Sequence, residues 1–171
     1  MTFTTYETSE LKKLEEKALA ELLSSCNSEN IAEIKTENEL CCRIMVFEGD
    51  KCIAHGAGYI RNMRIEEYDF IAGIIGGIAV DSNFRLRGIA KNIINQIHEC
   101  FKKKGVHHSF LFASEPKVYF SNGYKMLENT MRVYDSYECK WQEFVWNDSM
   151  YADLCDKKLP SGLLEFNGCN Y

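Results

Sequence analysis

The chain has 171 residues, 46% hydrophobic and 26% charged, which suits a sizeable core in one domain and excludes a disordered composition. A formal net charge of -5 disfavours nucleic acid as the main partner, because phosphate binding needs a basic surface. Such acidity suits simple solubility or a cationic substrate.

The cysteines are Cys26, Cys41, Cys42, Cys52, Cys100, Cys139, Cys155 and Cys169. They form no C-x-x-C pair and stand at no finger-like spacing to histidine, so no metal site is expected. Met1–Glu10 has neither a basic n-region nor an apolar h-region, and the longest apolar run, Phe70–Val80, is too short to span a bilayer. The expectation is a cytoplasmic protein with mostly free thiols and with Cys100 in the core.

In chain order, Ser9 can cap a helix from Glu10, with Leu11, Leu14, Ala18 and Leu22 at helical spacing. A second, weaker helical stretch covers Glu29 to about Lys35. Cys41–Phe47 reads as a strand, Glu48-Gly49-Asp50-Lys51 as a hairpin turn, and Cys52–Met63 as the returning strand. After a turn at Glu66, Glu67 and Asp69, the near-continuous apolar run Phe70–Val80 reads as a strand covered on both faces. Gly88–Lys104 is a helix with Ile89, Ile93, Ile97 and Phe101 on one stripe, Ile94 and His98 beside it, and Gly105 past its end.

Ser109–Ala113 reads as a buried strand parallel to the third, because a helix connects them. Glu115–Asn122 reads as a short helix opened by Pro116 and stopped by Gly123, and Tyr124–Tyr134 as a further strand. The tail suggests a helix over Asp148–Lys157, with Met150 and Leu154 inward, and a last short strand over Leu163–Phe166. No repeat or linker divides residues 1–171, so the expectation is a single domain. Its fold class is α/β, with a mixed, mostly antiparallel central sheet flanked by helices on both faces.

The chemistry gathers at G-G-I-A-V-D-S-N-F-R-L-R-G-I-A-K, residues 76–91, where a buried strand turns into a helix. The first amides of a helix have no intrahelical partner, and its N-terminus carries about half a positive charge. Gly88 and Ala90 leave room for an anion to approach, and Arg85, Arg87 and Lys91 add charge. The loop lacks the three glycines of the dinucleotide fingerprint and the Gly-Lys-Ser/Thr of a P-loop.

Val80, Arg85, Gly88 and Ala90, spaced as V-x-x-x-x-R-x-x-G-x-A, resemble motif A of the GCN5-related N-acetyltransferases (GNAT). The segment Ala113-Ser114-Glu115-Pro116-Lys117-Val118-Tyr119-Phe120-Ser121-Asn122-Gly123-Tyr124 resembles the family's second motif, with a tyrosine four residues before a Gly-aromatic pair. Together they cover roughly residues 70 to 125. Within the family, Ala113-Ser114-Glu115, Val118-Tyr119 and Gly123-Tyr124 resemble the N-terminal acetyltransferase unit of the enhanced-intracellular-survival type and are also similar to aminoglycoside 2′-N-acetyltransferases, a likeness that ends near Val133.

The resemblance implies the GNAT fold, acetyl-CoA as co-substrate and an acetyl-CoA-dependent N-acetyltransferase. It implies that backbone groups of Ile78 and Val80, with Ala79 between them, hold the pantetheine arm. The amides of Arg85, Leu86, Arg87, Gly88, Ile89, Ala90 and Lys91 would hold the pyrophosphate, and Ser114 would join the cofactor contacts. Tyr119 would protonate the leaving thiolate, and a phenol of pKa about 10 is suited to that.

The acceptor amine must attack as the neutral base, although an alkyl amine has a pKa near 10. Several relatives carry a glutamate on the strand before motif A, whereas this strand reads Ile74-Ile75-Gly76-Gly77. Candidate bases are Glu66, Glu67, Asp69, Glu115 and the terminal carboxylate of Tyr171. His107 and His108 read as structural or solvated. The expected partner is a small-molecule amine, with neither nucleic acid nor membrane, and a homodimer is compatible. Alternatives are an aminoglycoside as the amine and a non-catalytic acyl-CoA-binding sensor.

Overall fold

The computed structural model describes residues 1–7, 11–26, 39–135 and 138–168. Ser9, the stretch Glu29–Lys35, Cys169 and Tyr171 lie outside the described residues. The chain forms two compact units, residues 1–59 with 75–100, and residues 60–74 with 101–171.

The first unit holds β1 (Thr2–Tyr6), α1 (Lys13–Ser25), β2 (Leu40–Glu48), the opening of β3 (Lys51–Ile65), the end of β4 (Tyr68–Val80) and most of α2 (Ile89–Lys103). β2 runs antiparallel to both β1 and β3, with Tyr6 opposite Arg43 and Met45 opposite His55. β1 was not expected; its five residues alternate too briefly to stand out in sequence.

α1 begins at Lys13 rather than Glu10, because Glu15 reaches back to accept the Lys12 amide at 2.8 Å. Leu22 packs on Met45, Cys52 and Ala79, with Ala18, Leu19, Leu23 and Cys26 around it. Leu14 is 82% exposed, against expectation. The inward stripe runs through Glu15, Ala18, Leu19, Leu22 and Cys26, and Leu14 falls about 100° off its centre.

On the opposite face of β3, a Cβ at Gly56 would come within 2.5 Å of Ile78 and 2.6 Å of Ile93, so α2 seats directly on the strand backbone. Ile89, Ile93, Ile94, Ile97, Phe101 and His98 of α2 are buried, as the periodicity requires.

The second unit is built on β5 (His108–Phe112), which runs parallel to β4 with Gly73 opposite Ser109. It adds β6 (Lys125–Met126), β7 (Met131–Asp135), β8 (Lys140–Phe144), β9 (Ser149–Asp153) and β10 (Leu164–Glu165). The strand order is β6-β9-β5-β4-β3-β10-β7-β8, a mixed sheet. Phe70, Phe110 and Phe166 fill its core, and Gly73 admits the Phe101 ring, which an added Cβ would approach to 2.3 Å. His108 is buried, between Asp153 at 3.1 Å and the Tyr68 hydroxyl at 3.2 Å.

Three expected elements differ here. Glu115–Asn122 is two 3₁₀ turns, Pro116–Val118 and Phe120–Asn122, rather than one helix. The expected strand Tyr124–Tyr134 is interrupted between β6 and β7, where Asn129 donates to the carbonyls of Pro160 and Gly162. Asp148–Lys157 contains strand β9 instead of a helix, because β5 and β6 pair with it on its two edges. Among the described residues no helix is long and apolar enough to cross a membrane.

Candidate functional site

β4 delivers Ile78, Ala79 and Val80 to the strand-to-helix junction. Ala79 is buried in the α1 cluster, so it offers only backbone. The Val80 carbonyl accepts the Arg85 Nε–H at 3.1 Å. Asp81 then organises the turn: its Oδ1 accepts the Asn83 amide at 2.9 Å, and its Oδ2 receives Lys51 at 2.6 Å. Lys51 and the Asn83 amide hold the Asp81 carboxyl below the usual carboxylate range.

The loop is a 3₁₀ turn, Ser82–Phe84, followed by Arg85, Leu86 and Arg87. Arg87 donates to the Asn83 carbonyl at 2.9 Å and stacks over Phe84 at 5.0 Å. Each arginine thus spends one donor on a nearby carbonyl of the strand end or the loop and keeps its charge at the junction. Leu86 is fully exposed and holds φ +58, a conformation non-glycine residues rarely adopt.

Gly88 has φ +74, and a Cβ there would meet nothing within 4 Å. The first intrahelical bond runs from the Asn92 amide to the Gly88 carbonyl at 3.1 Å. The amides of Ile89, Ala90 and Lys91 precede that bond and point out of the helix N-terminus. The Ile89 side chain is buried, whereas Lys91 is exposed.

The other two expected site residues belong to the second unit. Ser114 is exposed just past β5. Tyr119 joins the two 3₁₀ turns, half-buried, with its ring edge-on to Tyr124 at 6.3 Å. Burial pushes its phenol up, and the neighbouring Glu115 adds to that, so Tyr119 holds its proton at neutral pH.

Among the candidate bases, Asp69 is held by Arg64 at 2.7 and 3.1 Å, a bidentate pair that lowers its carboxyl. It lines an open pocket of about 440 Å³ with Arg64, His107 and Glu165. Glu66 accepts the Leu163 amide at 3.3 Å, and Glu67 is exposed.

Sequence reasoning missed His55. It is 5% exposed, and its Nδ1 lies 2.8 Å from the Gly77 carbonyl. The available signal was a lone polar ring inside an apolar strand.

Solved structures share this fold. A GNAT family N-acetyltransferase (YhbS) from Escherichia coli, in complex with CoA, superposes with TM-score 0.70 at 14% identity, covering 96% of this chain and 88% of that one. A GNAT family acetyltransferase from Brucella melitensis, in complex with acetyl-CoA, gives 0.64 at 10% identity over 96% of both chains. Eis1 from Mycobacterium abscessus gives 0.60 at 15% identity over 75% of this chain and 32% of its own. A search of curated proteins finds no sequence match. The profile of the Acetyltransferase (GNAT) domain matches residues 7–127, more than half of the 171 residues. With that match across the strand, loop and helix just described, the chain belongs to the GNAT family of acetyltransferases.

Proposed function

We propose that this chain moves the acetyl group of acetyl-CoA to a primary amine of a small molecule by direct attack, with Tyr119 as general acid. The observation that carries the reading is the Val80–Lys91 junction inside a GNAT domain match. Gly88 projects no side chain into open space, and the helix amides beyond it face outward, which suits an anion the size of a diphosphate. The residues present therefore fit the coenzyme. The complexes of YhbS with CoA and of the Brucella melitensis enzyme with acetyl-CoA support the same donor.

In this reading the amides from Arg85 to Lys91 hold the pyrophosphate. The backbone of Ile78, Ala79 and Val80 lies along the pantetheine arm, and Ser114 completes the donor contacts. Tyr119 supplies the proton that the departing sulfur needs, and its raised pKa keeps that proton in place until sulfur charge develops.

The test is thiol release from acetyl-CoA across a panel of primary amines that includes aminoglycosides and polyamines. Turnover is expected with at least one amine. In Tyr119→Phe it should fall by about 10²–10⁴-fold with acetyl-CoA affinity preserved. Binding of acetyl-CoA by calorimetry with no turnover on any amine would replace this reading with a sensor module.

A further inference from the structure

β3 reads Ile53-Ala54-His55-Gly56-Ala57, one ionisable ring in an apolar run. A carbonyl oxygen only accepts, so the 2.8 Å contact with Gly77 requires the His55 proton on Nδ1 and leaves a lone pair on Nε2. That Nε2 is buried and has no hydrogen-bond partner. Buried acceptors are almost always paired, so this one awaits a donor that the folded chain does not supply.

The ring's position gives the donor's identity. Gly77 holds φ +62 within β4, and a Cβ there would stand 3.2 Å from His55 Cε1. The imidazole therefore packs against the Gly77 backbone, immediately before Ile78, in the strand segment 74–77 that carries no carboxylate.

The same sheet face carries Arg43, opposite Ala57 and so diagonal to His55. Its Nε is also buried without a partner. Tyr6 stands across from Arg43 on β1 with its hydroxyl on Glu15 of α1, and Tyr59 lies further along β3 within the field of Arg43. Burial first, and Arg43 in addition, push the His55 imidazole down to about 4, so it is neutral at working pH.

Resting on the acetyl-transfer reading above, we propose that His55 Nε2 receives the proton of the acceptor amine. The neutral amine donates one N–H to Nε2, which turns its lone pair away from the ring. The C–N bond forms as the C–S bond of the thioester breaks. The nitrogen loses one proton to Nε2, and the sulfur gains the Tyr119 proton. As the products leave, imidazolium gives up its proton and tyrosinate regains one, leaving amide, CoA thiol and the starting enzyme. A weak base suffices, because a nitrogen already bonded to the acyl carbon is far more acidic than a free alkylammonium.

His55→Asn keeps an N–H for the Gly77 carbonyl and deletes Nε2. With the best amine of the panel, kcat should fall at least about 10²-fold, while acetyl-CoA affinity by calorimetry stays within about twofold and the fold by circular dichroism is unchanged. A wild-type kcat, or a fall matched by an equal loss of acetyl-CoA affinity, overturns the inference and leaves the acetyl-transfer reading standing. Should the variant not fold, the ¹⁵N resonance of His55 Nε2 in the wild-type protein decides. It should move upfield when CoA and that amine are added together, and a fixed resonance overturns the inference. No turnover on any amine overturns both.

Discussion

Three glycines occupy their positions for different physical reasons, and single substitutions separate them. Gly73 must leave room: a Cβ would lie 2.3 Å from the Phe101 ring, a buried aromatic with nowhere to retreat. Gly73→Ala should destabilise by about 1–3 kcal/mol through overpacking, read as a lowered thermal midpoint. Gly88 must supply a conformation: φ is +74 but its surroundings are open, so Gly88→Ala costs about 1–2 kcal/mol of backbone strain and adds no clash. Gly77 must do both, with φ +62 and His55 only 3.2 Å from an added Cβ. Gly77→Ala should therefore lower stability more than Gly88→Ala, and equal midpoints would refute the paired role of Gly77 and His55.

At the scale of the element, the loop and α2 form one device in which the strand ends, Asp81 ties the turn, and the helix presents its first amides. Gly88→Glu places a carboxylate where the anion is proposed to sit and should reduce acetyl-CoA affinity at least about 100-fold by repulsion. Gly88→Ala is the control, since it bears the same strain without the charge. Calorimetry with equal affinities for both variants would remove the diphosphate from this helix. Much of this device was legible in sequence, because the burial of Ile89, Ile93 and Ile97 follows from periodicity and the bounds of β4 from an apolar run. The edge elements were less legible. Met150 and Leu154 are spaced as a helix would space them, yet β9 is a strand because β5 and β6 offer it hydrogen bonds on both sides. Such pairing partners are distant in sequence, and local pattern carries no record of them. His55 escaped for a similar reason: its meaning comes from the Gly77 carbonyl, which lies on another strand.

For the molecule as a whole, the same histidine couples stability to pH. The folded-state pKa of His55, about 4, lies below the value near 6.5 expected in the unfolded chain. Between these values the unfolded chain binds more protons, so stability is fully present above pH 6.5 and is lost as pH falls toward 4. At about 1.4 kcal/mol per pH unit, the loss is about 3 kcal/mol over that window. His108 has the same sign, because burial lowers its pKa against the pull of Asp153, so a residual slope remains when His55 is removed. The two histidines lie in different units, His55 in residues 1–59 and His108 in 101–171. Far-UV circular dichroism reports on the helices and strands of both units, so it follows the contribution of His55. In His55→Asn the thermal midpoint by circular dichroism should vary markedly less between pH 6.5 and 4 than in the wild type. An unchanged slope would mean that His55 is not buried as the neutral imidazole, and the proton-accepting role of Nε2 would fall with it.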